Sequence, residues 1–208
     1  MSTLLFDIGA NNGSWALANY TDKTRIVSVE ASPSTYEILV KNTAGKNIHC
    51  INRAVTSQPV SEVTFYEATA HTLSSLNKDW IMDPRSRFCG VFGIRTETVV
   101  PTTTIDAMVA TFGVPDIIKV DVEGAEHIVL PSLTQKVKTI CFEWAAEWDA
   151  ETFICIDHMS KIGYRQFHIQ MKDDYNYRPP LYLLTANQTR KEISKMNHRV
   201  DWGMIWCK

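Results

Sequence analysis

Apolar residues along the chain fall into short runs separated by stretches of helical period, and this alternation organises most of the sequence. Thr3 to Ile8 is an apolar strand that runs into the turn Gly9-Ala10-Asn11-Asn12-Gly13, followed by the helix-compatible stretch Ser14 to Tyr20. Arg25 to Glu30 is a second, β-branched run that ends on an acid. Ser32-Pro33 opens a helix through about Ala44, with proline near the first turn and Gly45 at the end. Asn47 to Asn52 supplies a third strand. Strands alternating with helices predict an α/β fold with a parallel sheet and right-handed crossovers.

That beat breaks over residues 56 to 101. Strand candidates at Val60 to Tyr66 and Ile94 to Val100 flank a polar loop rich in Ser, Thr and Arg, which reads as an antiparallel insertion acting as a lid. Thr104 then caps a helix over Ile105 to Phe112, closed by Gly113 and Pro115. Asp116 to Asp121 is the fourth core strand, Ala125 to Leu133 a helix, and Val137 to Glu143 the fifth strand. An amphipathic helix over Asp149 to Lys161 and a strand over Gly163 to His168 follow. Lys172 to Pro180 is a polar loop, and Asp201 to Cys207 closes the sheet as an antiparallel strand.

Composition narrows the picture. A length of 208 residues suits one domain, and 45% hydrophobic with 21% charged residues is ordinary for a soluble protein. No stretch approaches the roughly 20 apolar residues that span a bilayer. The net charge of −2 gives no basic field for a phosphate backbone, so no nucleic-acid partner is expected. Cys50, Cys89, Cys141, Cys155 and Cys207 stand singly, without the paired spacing of a zinc site, and fit reduced thiols in the cytoplasm. The N-terminus has no basic segment leading into an apolar run, so no signal peptide is expected.

Candidate chemistry collects at strand ends. The turn Asp7-x-Gly9-x-Asn11-x-Gly13 has glycines where backbone must approach a ligand closely, with Ala10 between them and Ser14 opening the helix behind. The dinucleotide fingerprint wants G-x-G-x-x-G, and Asn11 and Ser14 break that spacing. Glu30, followed by Ala31, ends the second strand, where a carboxylate can accept both hydroxyls of a ribose; an ordinary surface acid is the plainer alternative. Asn52, Arg53 and Ala54 stand where an adenine edge would be read, although an Asn in a turn needs no ligand. Lys119 lies inside a strand expected to be covered on both faces, so its ammonium needs the acids Asp121 and Glu123 beside it. Glu143 adds an acid at the same edge.

At these residues the chain resembles the FkbM family of methyltransferases. The resemblance rests on Asp7-Ile8-Gly9-Ala10-Asn11-Asn12-Gly13, on Glu30, and above all on Ile118-Lys119-Val120-Asp121-Val122-Glu123-Gly124-Ala125-Glu126. Val100 to Asp106 and Leu73-Ser74-Ser75-Leu76 are similar to further family elements, so the likeness spans about residues 3 to 168. It implies a seven-stranded, mostly parallel Rossmann-like sheet with helices on both faces, and S-adenosylmethionine as methyl donor. The turn would face the donor's amino-acid end, with Asp7 near its ammonium. It also implies O-methylation of sugars, polyketides or similar natural products. Class I methyltransferases usually carry a helix or more before the first strand. Met1 and Ser2 lead almost directly into it here, so a module excised from a longer polypeptide is expected, with glycosyltransferase domains as neighbours and a sugar or glycan as acceptor.

A hydroxyl must lose its proton during transfer, and Asp121, Glu123 or Glu143 is expected as base or to position it, with Lys119 orienting a carboxylate. Ser75, Arg95 and His168 are candidate acceptor contacts, His168 also an alternative base. Tyr66, Trp80, Phe88 and Phe92 could stack on a sugar or simply pack the lid, and Arg85 and Arg87 could bind an anion or stay solvated. Magnesium at Asp121 and Glu143 is admitted but not favoured, because a lysine can neutralise the acids instead. An O-methyltransferase of a non-sugar product, a nicotinamide-dependent oxidoreductase and a non-catalytic nucleoside-binding module stand as alternatives.

Overall fold

The computed structural model describes residues 2–58, 60–181 and 183–208; Met1, part of the expected lead-in to the first strand, lies outside them, as do Pro59 and Tyr182. In chain order the elements are β1 (Thr3–Ile8), α1 (Ser14–Asn19), β2 (Thr24–Glu30), α2 (Pro33–Thr43), β3 (Ile48–Asn52), β4 (Ala54–Val55), β5 (Glu62–Ala68), α3 (Asp79–Met82) and β6 (Ile94–Thr103). They continue as α4 (Ile105–Phe112), β7 (Ile117–Val120), α5 (Glu126–Val129), β8 (Thr139–Ala145), α6 (Asp149–Lys161), β9 (Phe167–Met171), α7 (Ala186–Ile193) and β10 (Trp202–Cys207). Seven strands form one sheet in the order β3-β2-β1-β7-β8-β10-β9, and β4, β6 and β5 form a smaller one. Within the large sheet β3, β2, β1, β7 and β8 pair in parallel, while β10 is antiparallel to both β8 and β9.

The pleat sends alternate residues of β1 to opposite faces. Leu5 joins Ile26 and the α1 residues Trp15 and Ala16 on one side. Phe6 and Ile8 join Val27, Val29, Ile105 and Met108 of α4, and Ile156 and Met159 of α6 on the other. Helices therefore cover both faces, as expected, and a charge in the middle of this sheet must find partners inside the protein.

The insertion is antiparallel, β5 against β6, but its connection is more than loop. Leu73, Trp80 and Ile81 pack with Ala145 and Trp148 at the end of β8. Each such buried side chain contributes roughly 1.5–3 kcal/mol, which seats the insertion firmly over the carboxyl edge of the sheet.

Some boundaries differ from the sequence expectation. The helix expected over Ala125 to Leu133 is the short α5, which passes into a 3-10 turn at Leu130–Ser132, where Pro131 has no amide to continue the ladder. The strand expected over Gly163 to His168 is displaced to Phe167–Met171. Gly163 turns with φ at 111°, and the buried Tyr164 ties its hydroxyl to the main chain of Val137, so these residues end a helix rather than begin a strand. Helix α7 was not anticipated, although Thr185 and Gln188 form a capping box that the sequence carries openly.

Candidate active site

The carboxyl ends of β1, β2, β7 and β8 share one edge, and a cavity of about 430 Å³ opens there, a size suited to a small molecule. Gly9, Ala10, Asn11 and Ser14 line it from the first turn, Glu30 and Ala31 from β2, and Arg53 and Ala54 from the segment after β3. Lys119, Asp121, Glu123 and Glu143 line the other side.

The first turn is built for close approach. Gly9, Asn11 and Gly13 take φ of 77°, 48° and 87°. A Cβ on Gly9 would lie 1.7 Å from the carbonyl oxygen of Asp121, so only glycine lets β1 and β7 converge here. The same turn orients Glu30, whose carboxylate accepts from the amide of Asn11 at 2.8 Å and from that of Ser32 at 2.8 Å. Each oxygen keeps a free lone pair for a diol. Burial pushes the Glu30 carboxyl up to about 7, against the two amide bonds that favour its charge. Asn11 lines the cavity, and its buried Oδ1 has no hydrogen-bond partner among the described residues.

Lys119 is 4% exposed, and its ammonium lies 3.1 Å from Asp121 and 3.7 Å from Asp7. Burial alone would drive that ammonium down; the charges of Asp121 and Asp7 outweigh it and hold it above the usual lysine range. Asp7 is fully buried beneath the turn and does not line the cavity, so it meets Lys119 rather than a ligand. Burial raises its carboxyl to about 6, more than the lysine lowers it.

The Lys-x-Asp-x-Glu-Gly-x-Glu block has a physical reading. Glu123 takes φ of 56°, and its carboxylate accepts the Trp80 indole N–H at 3.0 Å instead of meeting Lys119. A Cβ on Gly124 would lie 2.2 Å from the Trp80 ring, so the insertion rests on bare backbone here. Glu126 folds back to accept the Val122 amide at 2.9 Å. Glu143 is 8% exposed, and its buried Oε2 has no hydrogen-bond partner among the described residues. Burial first, and then the neighbouring acids, push Glu123 and Glu143 well above the usual carboxylate range; burial lifts Glu126 to about 8.

Several expected contacts are corrected by the structure. Ser75 is fully buried, its hydroxyl donating to the Val122 carbonyl and accepting from the Asn77 amide, so it clamps the loop and does not line the cavity. Arg95 points outward to Glu67, away from the cavity. His168 sits at the second position of the edge strand β9, bonded to the Tyr177 hydroxyl, because the strand begins later than expected; it does not line the cavity. Asn52 spends its amide on the carbonyls of Glu30 and Ala31, tying β3 to β2. Gly13 shapes the turn from behind, packed toward Leu39. Arg87 is committed to Glu147, and Arg85 covers the Trp148 ring. Trp80 and Phe88 do line the cavity, whereas Tyr66 and Phe92 do not.

The sequence reading missed Asp173, Tyr175 and Trp202, which also line the cavity, and the burial of Glu126 beside it. Asp173 follows β9 and so stands at the same carboxyl edge as the other acids; a correctly placed β9 would have exposed it. Burial raises its carboxyl to about 6.

Solved structures match this fold over the full chain. Precorrin-6y C5,15-methyltransferase from Geobacter metallireducens GS-15 aligns with TM-score 0.50 and 11% identity, covering 100% of this chain and 80% of that one. Aeropyrum pernix fibrillarin with natively bound S-adenosyl-L-methionine aligns with TM-score 0.47 and 12% identity, covering 100% and 66%. No curated protein matches the chain by sequence. Six strands of one direction with an antiparallel β10 between β8 and β9, and the crevice at their carboxyl ends, define a class I methyltransferase domain. The methyltransferase FkbM domain model matches residues 7–178, and the chain belongs to that family. S-adenosylmethionine is accordingly its methyl donor, and the oriented Glu30 carboxylate with the unpartnered Asn11 side chain fits it. No helix among the described residues is long and apolar enough to cross a membrane.

Proposed function

We propose that this methyltransferase acts on a hydroxyl, and that the hydroxyl belongs to a sugar or glycan. The observation that carries the reading is that Asp121, paired with Lys119, lines one cavity together with Glu123, Glu143 and the Glu30 turn. In this reading Glu30 accepts the donor's ribose hydroxyls, Gly9 to Asn11 pass along its amino-acid end, and Arg53 and Ala54 flank its base.

When bound, S-adenosylmethionine supplies an electrophilic methyl group that transfers by in-line displacement. The acceptor oxygen must sit behind that carbon and shed its proton. One acidic side chain receives the proton as the oxygen–carbon bond forms and the sulfur–carbon bond breaks. Lys119 orients Asp121 through its 3.1 Å contact. Phe88 and Trp202 line the cavity and offer flat apolar faces on which a sugar ring's C–H groups stack. A glycosyltransferase domain in the same polypeptide is the expected partner, since it would deliver a glycan beside this module.

The test is incubation with labelled S-adenosylmethionine and a panel of mono- and oligosaccharides, with non-carbohydrate alcohols alongside, read by mass spectrometry. Methylated glycan that disappears in Asp121→Asn supports the reading. Transfer only to the non-carbohydrate alcohols overturns the sugar assignment.

A further inference from the structure

We infer that the acidic edge of the cavity, lined by Asp121 and Glu143 with Glu126 beside it, is a site for one hard divalent cation, magnesium or manganese, held by these three residues. Each offers a carboxylate oxygen, and these atoms all lie within 4.8 Å of one another. Around a magnesium ion with oxygens at about 2.0–2.1 Å, neighbouring ligands lie about 3 Å apart and opposite ones about 4.2 Å, so three such oxygens can close on one ion. All-oxygen donors of this kind select magnesium, manganese or calcium over softer metals.

Glu143 adds to the cluster a buried oxygen left bare. It is 8% exposed, yet its Oε2 is buried with no hydrogen-bond partner among the described residues. A buried carboxylate oxygen left bare costs several kcal/mol unless it is protonated or bound to a cation. Glu143 faces the main cavity beside Asp121, and with Glu126 it also borders a void of about 10 Å³, about the room of a single water or ion.

Lysine cannot do the ion's work here. Lys119 is engaged with Asp7 and Asp121, so it compensates one end of the cluster and leaves Glu126 and Glu143 facing each other. That arrangement reverses the sequence expectation, in which a lysine made a metal unnecessary. A cation on the cavity wall would bind the acceptor hydroxyl and lower its proton affinity, so that the proton leaves to an adjacent carboxylate or water before the oxygen is methylated. This step rests on the hydroxyl reading above; the binding site itself does not.

The experiment is titration of the full chain, with S-adenosylhomocysteine present, by manganese(II), following free ion by electron paramagnetic resonance. One equivalent should bind the unaltered chain and be displaced by magnesium. Glu143→Gln and Glu126→Gln should each weaken binding at least ten-fold, with folding checked by circular dichroism. Glu97→Gln, remote and paired with Lys78, should leave it unchanged. No saturable binding at millimolar manganese, or undiminished binding in both folded variants, overturns the site. Glycan methylation without manganese binding would remove the cation and leave the methyltransferase reading standing; binding without any hydroxyl transfer would do the reverse.

Discussion

Lys119 and Asp121 stand two residues apart at the end of a central strand and bring their charged ends to 3.1 Å, inside a sheet covered on both faces. Because Asp7 lies opposite Lys119 in the β1·β7 pairing, the same ammonium also ties the first turn to the acidic loop. The two halves of the crevice are thus held in register by one buried cation.

Removing that cation should be costly. Lys119→Met leaves Asp7 and Asp121 facing each other without compensation, and breaking a buried pair in this way typically costs about 3–5 kcal/mol. Denaturant unfolding at pH 8 should show a loss of that order. The loss should shrink at pH 5, because Asp7, already raised to about 6 by burial, takes up a proton and stops opposing the fold. An equal loss at both pH values would contradict this placement of the charges.

The chain without ligands should grow less stable as pH rises. Asp7 is raised from 3.8 to about 6, Glu30 from 4.5 to about 7 and Glu126 from 4.5 to about 8, all chiefly by burial. The folded state therefore holds protons that the unfolded chain has released, and stability falls with pH across that window. Thermal melts of the ligand-free protein should give a lower Tm at pH 8.5 than at pH 6. A Tm that rises over this interval would show that these acids are ionised at little cost.

Glu30→Gln should weaken S-adenosylhomocysteine roughly ten- to a hundred-fold, the scale of about 1.5–3 kcal/mol for hydrogen bonds to a charged group. Calorimetry should also show the unaltered protein losing affinity as pH drops below about 7, where Glu30 protonates, while the glutamine variant shows a flatter profile. Equal affinity in the two proteins would remove Glu30 from the ribose.

Gly9→Ala tests the turn itself. Its new Cβ would lie 1.7 Å from the Asp121 carbonyl on a backbone with φ at 77°, so β7 must move. A lowered Tm together with a loss of S-adenosylhomocysteine affinity is expected; an unchanged pair of values would mean the turn is looser than its geometry implies.

Much of this site was legible in the chain because its residues sit at strand ends, and strand ends follow from simple apolar runs. Glu30 and Asp121 follow from the apolar runs that end on them, and a lysine two residues before an acid in a covered strand points to the contact of Lys119 with Asp121. What escaped notice depended on contacts distant in sequence. Ser75 looks like an acceptor contact until its hydroxyl is found bonded to Val122, 47 residues away. Asp173 was hidden by the misplaced start of β9, which Tyr164 sets by burying its ring and bonding Val137. Glu126 opens the helix expected over Ala125 to Leu133, and its carboxylate turns back to the Val122 amide because α5 is a single turn.

A crystal structure with S-adenosylhomocysteine bound tests the central claim most directly. The ribose hydroxyls should rest on Glu30 and the sulfur should point toward Asp121 across the same cavity. An empty crevice at saturating ligand, or a nucleoside bound on another face of the sheet, would contradict it.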